Sequence, residues 1–281
     1  MDLTNRTIIK DLLKRHGGKA EKYLGQHFIL SKKALTQIVA AAEIKKSDTI
    51  IEIGPGFGTL TQELAGTGAK IIAIEKDPKM ILILKETLAD YKNIKIIQAD
   101  ARNIGFGNLY LKKYKIVANL PYNIATFLIR QWLELKNLPE LMILMIQKEV
   151  AKRICAKPPH MNLLAVSTQF LAIAKIIGYV PAEAFWPKPK VDSAIIKITP
   201  KKSPPQKMRD AFFVVVKAGF SQPRKQLLGN LSKKLILPKE KLLKIFKNLD
   251  ISERARAENL SLEQWVSLAN SLQPTTQRER N

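Results

Sequence analysis

The feature that most constrains the fold is a regular alternation of short apolar runs with helical stretches between residues 49 and 154. The apolar runs are bounded by Gly, Pro, Asp or Asn, which predicts strands at residues 49–53, 70–74, 94–97, 115–118 and 141–145. Helical patterns lie between them, at residues 59–65, 78–89, 126–135 and 149–154. Strands that are buried on both faces and joined by helices predict an α/β fold with a mostly parallel, doubly wound sheet.

The segments on either side of this pattern are less regular. A basic polar arm covers residues 1–25 and precedes a predicted helix at 31–42. The apolar run 163–174 is expected to be a core helix. Two further strands, at 176–180 and 193–199, are expected to form an antiparallel hairpin at the edge of the sheet.

Residues 200–205 read Pro-Lys-Lys-Ser-Pro-Pro, a composition typical of a linker. Only helical patterns follow, and a Ser261-x-x-Gln264 capping box opens the last of them. We therefore expect two domains, an α/β domain over residues 1–200 and a helical domain over residues 206–281.

The charge of the chain points to a polyanionic partner. The 281 residues include 47 Lys and Arg against 24 Asp and Glu, so the formal net charge is +23. This exceeds what solubility requires and favours a nucleic acid, with a membrane surface as the alternative. Residues 51–100 are the slightly acidic exception and must serve another purpose.

Several classes of protein are excluded by what the sequence lacks. No run of 18 apolar residues occurs, and the N-terminus does not have the pattern of a signal peptide, so a cytoplasmic location is expected. The single cysteine, Cys155, excludes a disulfide framework, and the three scattered histidines, His16, His27 and His160, make a metal site unexpected.

A glycine-rich loop is the first candidate site. Gly54, Gly56 and Gly58 follow the first predicted strand and open a helix, an arrangement that lets the backbone approach a ligand. A tight turn alone would also explain these glycines. However, Glu75 ends the next strand, 21 residues after Gly54, where a carboxylate can accept the hydroxyls of a ribose. Together the loop and the acid indicate a cofactor that contains a nucleoside.

The spacing within the loop favours one such cofactor over another. It reads G-x-G-x-G with Pro55 inside, and so departs from the G-x-G-x-x-G pattern that holds a dinucleotide pyrophosphate. S-adenosylmethionine, which has a ribose and a carboxylate but no phosphate, suits the loop better than NAD. Asp100, which ends the third strand, could accept the adenine amino group, although a turn-forming Asp is an equally good explanation.

A second motif, Asn119-Leu120-Pro121-Tyr122, ends the fourth strand at the rim where open α/β sheets bind ligands. Asn119 could simply cap the turn. Its amide, together with the carbonyl of Leu120 or Pro121, could instead accept both hydrogens of an exocyclic amine and so favour its attack on a sulfonium methyl group. Tyr122 could stack on the base, as in enzymes that act on extruded nucleobases.

These motifs, taken together, resemble the KsgA/RsmA family of small-subunit (16S) ribosomal RNA adenine N6,N6-dimethyltransferases. The resemblance runs from about residue 23 to residue 272. Its landmarks are Gln26-His27-Phe28-Ile29, Glu52-Ile-Gly-Pro-Gly-Phe-Gly, Glu75-Lys-Asp77, Asp100-Ala101, Asn119-Leu-Pro-Tyr122, Phe185-x-Pro-x-Pro-x-Val191-Asp192-Ser193-Ala194 and Arg224-Lys225. The sequence departs from the family pattern at His27, where Asn is frequent, and at Ile29, where Leu is usual.

The resemblance implies a Rossmann-like class I methyltransferase with a seven-stranded sheet and a helical C-terminal domain that engages rRNA. It implies that S-adenosylmethionine is bound by Gln26, His27, Ile29, Glu52, Gly54, Gly56, Glu75, Asp77, Asp100, Ala101 and Asn119. It further implies that Asn119, Leu120, Pro121, Tyr122 and Phe185 form the catalytic site, with Tyr122 and Phe185 flanking the target adenine.

The implied substrate is a pair of adjacent adenosines in the 3′-terminal hairpin loop of small-subunit rRNA. The assembling small subunit is then the partner, with no metal, no membrane and a monomeric enzyme. Two alternatives stay open: a resistance methyltransferase that acts on large-subunit rRNA, and an assembly factor that binds RNA without turnover. Leu120 and the segment 191–194 favour the small-subunit enzyme over the resistance enzyme.

The basic pair Arg224-Lys225 is the candidate RNA contact in the helical domain. It is expected at the start of a helix whose other face carries Leu227, Leu228 and Leu231. A structural role in anchoring that domain is the alternative. Lys233 and Lys234, further along the same helix, are interpreted as ordinary basic surface.

Overall fold

The computed structural model describes residues 1–17, 27–104, 111 and 113–272. These residues divide into two compact units. The first consists of Met1–Ala151 and Ala174–Pro200, and the second of Lys152–Ile173 with the described residues from Lys201 onward. Gln26 lies outside the described residues.

A seven-stranded sheet forms the centre of the first unit. In the described residues the strands are β1 (Phe28–Ile29), β2 (Thr49–Ile53), β3 (Lys70–Glu75), β4 (Ile94–Gln98), β5 (Lys115–Asn119), β6 (Leu141–Gln147), β7 (Ala172–Val180), β8 (Phe185–Trp186) and β9 (Ser193–Pro200). The sheet has the order β4-β3-β2-β5-β6-β9-β7, and β1 pairs separately with β8. Pairing is parallel from β4 through β6, whereas β9 is antiparallel to β6. The predicted, mostly parallel α/β sheet is therefore confirmed.

The helices come between and after these strands. In the described residues they are α1 (Arg6–Arg15), α2 (Lys32–Ala42), α3 (Thr59–Ala65), α4 (Pro78–Thr87), α5 (Ala125–Leu133), α6 (Lys148–Ile154), α7 (Leu163–Leu171), α8 (Gln206–Gly219), α9 (Leu227–Leu235), α10 (Lys239–Asn248) and α11 (Leu262–Ser271). Side-chain caps fix several starts: Ser31 accepts from the Ala34 amide at α2, and Asp77 accepts from the Lys79 amide at α4.

The apolar run 163–174 is helical only in its first part. Helix α7 ends at Leu171, and Ala172 already has extended backbone angles, with φ −152° and ψ 163°. The last three residues of the run belong to β7, so the expectation of one continuous helix was wrong at this end. Pairing at the sheet edge decides their conformation, since an apolar run of this length suits either element.

The basic N-terminal arm contains an amphipathic helix rather than only extended polar chain. Asn5 caps α1 by accepting from the Thr7 amide, and Ile9, Leu12 and Leu13 on one face of α1 are buried. These residues pack in a cluster with Phe57 of the glycine-rich loop. The basic residues mask this pattern in the sequence, but their aliphatic neighbours recur at helical spacing.

The core of the first unit lies between the sheet and its helices. On the side of α2 and α3, Leu35, Ile38 and Leu64 pack against Val117 and Ile143 of the central strands. The central parallel strands are buried on both faces, in keeping with their continuous β-branched runs. This packing holds the central strands in place, and their carboxyl ends therefore form a rigid edge of the sheet.

The second unit is helical and includes a segment that the sequence assigns to the first. Phe170 of α7 stacks on Phe212 of α8 with ring centroids 3.7 Å apart. The Lys201 amide donates to the Leu171 carbonyl at 2.8 Å, and the Met161 amide donates to Glu258. Residues 152–173 thus pack with the chain after Pro200 instead of completing an uninterrupted domain over 1–200, because long-range packing overrides continuity in sequence.

No helix in the described ranges is both long and apolar enough to cross a membrane.

Candidate functional site

A cavity of about 320 Å³ opens where β2, β3, β4 and β5 end. This is the carboxyl edge of the parallel strands, where open α/β sheets bind ligands. The predicted site residues that line it are His27, Ile29, Glu52, Gly54, Gly56, Glu75, Asp100, Ala101, Asn119, Leu120, Pro121 and Tyr122. The fold thus brings together side chains from five separate segments.

The glycine-rich loop lies in the floor of the cavity and requires its glycines. Gly54, Gly56 and Gly58 have φ values of 67°, 58° and 87°, in the left-handed region that L-residues rarely adopt. A Cβ on Gly56 would also lie 2.9 Å from the Phe28 ring. A side chain at Gly56 would therefore collide with Phe28, which also lines the cavity.

Glu75 is held against this loop by backbone donors. Its Oε1 accepts from the amides of Lys76 and Asp77 at 2.7 and 2.9 Å, and its Oε2 accepts from Gly56 at 3.3 Å. Burial raises the pKa of this carboxyl, and the three amides oppose the rise. The longer contact leaves Oε2 as the oxygen best able to accept from a ligand hydroxyl.

Glu52 is the second carboxyl of the cavity and is only 1% exposed. Burial, with help from the Glu75 carboxylate, raises its pKa to about 8. Its Oε2 has no hydrogen-bond partner in the part of the chain that the structure describes. Such an oxygen is costly unless a ligand donates to it, so Glu52 suits a cationic or N–H-bearing group.

Asn119 is oriented by the N-terminal segment. Its Nδ2 donates to the carbonyl of His27 at 3.0 Å, which leaves Oδ1 to accept from a ligand in the cavity. The carbonyl of Pro121 accepts from the Ile124 amide at 3.2 Å. The sequence did not decide whether the carbonyl of Leu120 or that of Pro121 is the second acceptor. The Leu120 carbonyl is the better candidate, because the Pro121 carbonyl already accepts a hydrogen bond.

Tyr122 lies at the mouth of the cavity beside His27, with ring centroids 5.4 Å apart and planes inclined by 27°. Its hydroxyl forms a 2.6 Å hydrogen bond with Ser193 Oγ. Burial raises the pKa of this phenol, so it is neutral at physiological pH. His27 is held in turn, through Nδ1, by the carbonyl of Pro187 at 2.8 Å.

Asp100 also lines the cavity and is paired there with cations. Arg102 binds both of its carboxylate oxygens, and Lys76 Nζ lies 3.0 Å from Oδ2. The Arg102 hydrogen bonds hold the pKa of Asp100 well below its usual range. The side chain therefore stays an ionised acceptor.

Two predicted site residues do not reach the cavity. Phe185 is 3% exposed and packs in the core, since β8 pairs with β1 and places Phe185 opposite Ile29. The expectation that it sandwiches a base with Tyr122 is therefore wrong for this structure. Asp77 is buried as the N-cap of α4, and a capping role explains it without a ligand.

The cavity also has walls that the sequence analysis missed. Thr59 and Leu60 of α3, Lys76 and Arg102 after the strand ends, and Asn123 and Ile124 after Tyr122 line it. The available signal was their position, because each directly follows a strand or a predicted site motif. Arg102 and Lys76 bring positive charge to a cavity that holds three carboxyl groups, those of Glu52, Glu75 and Asp100.

The candidate RNA contacts lie in the second unit. Arg224 and Lys225 are both exposed, in the turn before α9 rather than in its first turn, and the Lys225 amide donates to Gln222 at 3.0 Å. Leu227 and Leu231 are buried on the other face of α9, as expected.

Comparison with known proteins decides the family. The sequence model described as ribosomal RNA adenine dimethylase matches residues 17–274, nearly the whole chain. The chain belongs to the ribosomal RNA adenine dimethylase family. The resemblance drawn from the motifs is thereby confirmed.

Curated members of the family are similar over almost their full length. Ribosomal RNA small subunit methyltransferase A of Dehalococcoides mccartyi strain 195 is 40% identical over 92% of this chain and 90% of its own. The protein of the same name from Geobacillus thermodenitrificans is 38% identical over 97% and 98% of the two chains.

Solved structures agree with the family assignment. A dimethyladenosine transferase from Plasmodium falciparum superimposes with a TM-score of 0.73 at 27% identity, over 86% of this chain and 96% of its own. The 23S rRNA methyltransferase ErmE gives a TM-score of 0.75 at 24% identity, over 88% of this chain and all of its own, and shares the fold.

Proposed function

We propose that this family member transfers methyl groups from S-adenosylmethionine to the N6 atoms of two adjacent adenosines in the 3′-terminal hairpin loop of small-subunit rRNA. The orientation of Asn119 carries the proposal. Its Nδ2 is engaged by the His27 carbonyl, so the acceptor Oδ1 is presented to the cavity at the rim of the sheet. The full-length similarity to small-subunit methyltransferases supports this choice of RNA.

The cavity fits the cofactor in shape and in chemistry. The left-handed glycines let the backbone of the loop approach a ligand, Glu75 offers an acceptor for ribose hydroxyls, and the orphaned Glu52 oxygen offers one for an ammonium group. Asp100 and Ala101, which also line the cavity, would contact the adenine. When bound, S-adenosylmethionine supplies an electrophilic methyl group on a sulfonium sulfur.

The protein residues activate the amine by hydrogen bonding to it, and none of them has to remove its proton. The lone pair of an adenine N6 is delocalised into the ring and makes a poor nucleophile. In the first transfer, Asn119 Oδ1 would accept one N6–H and the Leu120 carbonyl the other, which raises the electron density on N6 and fixes its direction; in the second transfer a single N6–H remains to be held. As each N6–methyl bond forms, the methyl–sulfur bond breaks to leave a neutral thioether, and N6 gives up one proton to solvent. No basic side chain is needed for this, and Tyr122 offers its ring for stacking on the base.

Engagement of RNA is assigned to the basic surface, with Arg224 and Lys225 as proposed contacts in the helical unit. Neither residue has a carboxylate within 4.0 Å among the described residues. Contacts of this kind position the backbone without reading its sequence. A role in small-subunit biogenesis, in the cytoplasm and as a monomer, completes the proposal.

Primer extension across the small-subunit 3′ hairpin tests the function, because N6,N6-dimethyladenosine stops reverse transcriptase. Cells that lack the gene should show no stop, wild-type protein should restore stops at two adjacent adenosines, and Asn119→Ala should not. If wild-type protein restores no stop there but creates one in large-subunit rRNA, the proposed substrate is wrong.

A further inference from the structure

A second tyrosine, Tyr179, presents an exposed ring near the end of β7. It is the second-to-last residue of that strand and is 54% exposed, and it does not belong to the described lining of the cavity. We infer that Tyr179 binds, by stacking, the base of the nucleotide next to the adenosine in the cavity. The inference rests on the proposed function and deepens it, because it assigns a place to the second adenosine of the substrate.

Two consecutive residues, where β9 begins, hold Tyr122 and Tyr179. Ser193 Oγ is hydrogen bonded to the Tyr122 hydroxyl at 2.6 Å. Asp192 Oδ2 accepts from Lys148 Nζ at 3.0 Å, and this ammonium group lies over the Tyr179 ring, 5.4 Å from its centroid. Consecutive Cα atoms are about 3.8 Å apart, so the two rings are tied to neighbouring points on the sheet edge.

The cation beside Tyr179 is held in place by the fold. Lys148 begins α6 directly after β6, one of the parallel strands that end at the cavity edge, and its amide donates to the Asp192 carbonyl at 3.0 Å. Asp192 Oδ1 accepts from the Ala182 amide at 3.3 Å, in the turn after β7. The hydrogen bond from Lys148 lowers the pKa of Asp192, so the pair is ionised.

The two tyrosines differ in depth. Ser193 is completely buried, and Tyr122 lines the cavity. The side chains of Asp192 and Lys148 are 42% and 38% exposed, so Tyr179 is supported from the surface. Val191, the residue before Asp192, is 45% exposed and adds apolar surface outside the cavity. One ring is therefore available to a base inside the cavity and the other to a base outside it.

An exposed tyrosine ring beside a lysine suits a nucleobase. Every base has a π face that stacks on an aromatic ring, and a nearby cation favours an RNA strand over a neutral ligand. The proposed substrate supplies such a base, because its two target adenosines are adjacent and only one of them occupies the cavity at a time. Methylation of N6 removes hydrogen-bond donors but keeps the π face, so stacking on Tyr179 accepts the neighbour both before and after its own methylation.

A double-mutant cycle between protein and RNA tests the contact. Wild type, Tyr179→Phe and Tyr179→Leu are titrated with the small-subunit 3′ hairpin and with two hairpins that each carry an abasic site at one of the two adenosines. Saturating S-adenosylhomocysteine prevents methyl transfer during the titration. The matched control is Leu82→Ala, which removes a side chain that is 52% exposed on α4, between β3 and β4 at the other end of the sheet. Thermal midpoints verify that each variant is folded.

We expect Tyr179→Leu to bind the intact hairpin about tenfold more weakly than wild type, as for the loss of one stacked base. Tyr179→Phe, which keeps the ring, and Leu82→Ala should bind it like wild type. In an abasic hairpin the remaining adenosine occupies the cavity and leaves Tyr179 without a base, so Tyr179→Leu and wild type should bind it equally. An equal loss on intact and abasic hairpins would assign Tyr179 a structural role, and either that result or no loss on the intact hairpin overturns the inference.

Small subunits from cells that lack the gene separate an RNA contact from a protein contact. If Tyr179→Leu binds whole subunits about tenfold more weakly but binds the hairpin like wild type, Tyr179 contacts a subunit protein and the inference is wrong. Methylation of the same subunits by wild type separates the two proposals. Methylation of both adenosines without coupling in the cycle refutes the stacking site alone, whereas failure to methylate either adenosine refutes the proposed function and the inference with it.

Discussion

The hydroxyl of Tyr122 lies 2.6 Å from that of Ser193, whose side chain is completely buried at the start of β9. Ser193 is opposite Gln147 in the antiparallel pair of β9 with β6, so the bond ties the rim loop after β5 to the sheet. The phenol therefore serves as an anchor for the ring. The proposed stacking on a base would use a face of this ring, while the hydroxyl at its far end stays bound to Ser193.

This anchoring predicts a non-additive pair of substitutions. Tyr122→Phe keeps the ring and should keep methyl transfer, but it leaves the Ser193 hydroxyl buried without its partner, at a cost of about 1 to 3 kcal/mol in the free energy of unfolding. Adding Ser193→Ala should recover most of that loss. Chemical denaturation of the two single variants and the double variant measures the coupling, and simple additivity would contradict the anchor.

Glu75 is expected to supply much of the cofactor affinity. Glu75→Ala should weaken S-adenosylmethionine binding by about 2 to 3 kcal/mol, since the ribose hydroxyls lose a charged acceptor in a nearly buried site. Glu75→Gln, which keeps one acceptor oxygen, should lose less. Calorimetry with thermal melts checks both, because the carboxylate also holds three backbone amides; wild-type affinity in Glu75→Ala would rule out the assigned contact.

Asn119 is expected to act on the amine and not on RNA affinity. Asn119→Ala should abolish methyl transfer at saturating cofactor while RNA binding changes little. Asn119→Asp should fail as well, because an acidic oxygen would face the His27 carbonyl that now accepts from Nδ2. Single-turnover methylation and RNA binding are measured side by side; near wild-type turnover by either variant would refute the role.

The Glu52 pKa, raised to about 8 by burial, predicts a pH dependence of stability. Because the unfolded carboxyl titrates near 4.5, the folded chain holds an extra proton between the two values. Its stabilising contribution is complete below about pH 4.5 and is lost as the pH rises through 8, by up to about 1.4 kcal/mol per pH unit. Glu52→Gln should flatten this decline in the thermal midpoint of the cofactor-free protein. The exposed Glu63→Gln should not, and equal slopes in both variants would contradict the prediction.

Phe185 is expected to act through the core. Phe185→Ala removes a buried ring and should cost about 3 to 5 kcal/mol in the free energy of unfolding, with Phe185→Leu losing less. Activity measured well below the variant's own melting transition should stay near that of wild type, and it should be lost at the lower temperature at which the variant unfolds. If Phe185→Ala instead leaves the thermal midpoint unchanged and raises only the KM for RNA, the ring contacts the substrate.

The local pattern of residues was enough to predict the strands, the order of the helices between them and the segments that end at the rim of the sheet. The runs at β2, β3 and β5 are bounded by turn residues and buried on both faces, so their periodicity and their length agree. The position of Glu52, Glu75 and Asn119 at one edge follows, because parallel strands end on the same side of a sheet.

The tertiary structure alone decided which of these side chains face the cavity. Phe185 and Tyr122 are both aromatic residues in motifs, yet pairing of β8 with β1 turns one ring into the core, while the bond to Ser193 holds the other at the rim. Lys225, Lys233 and Lys234 line one cleft of the helical unit, where Asn230 donates to the carbonyls of Gly219 and Gln222 in the preceding turn. Sequence patterns record the character of a side chain and its period, whereas the direction it faces depends on partners distant in the chain.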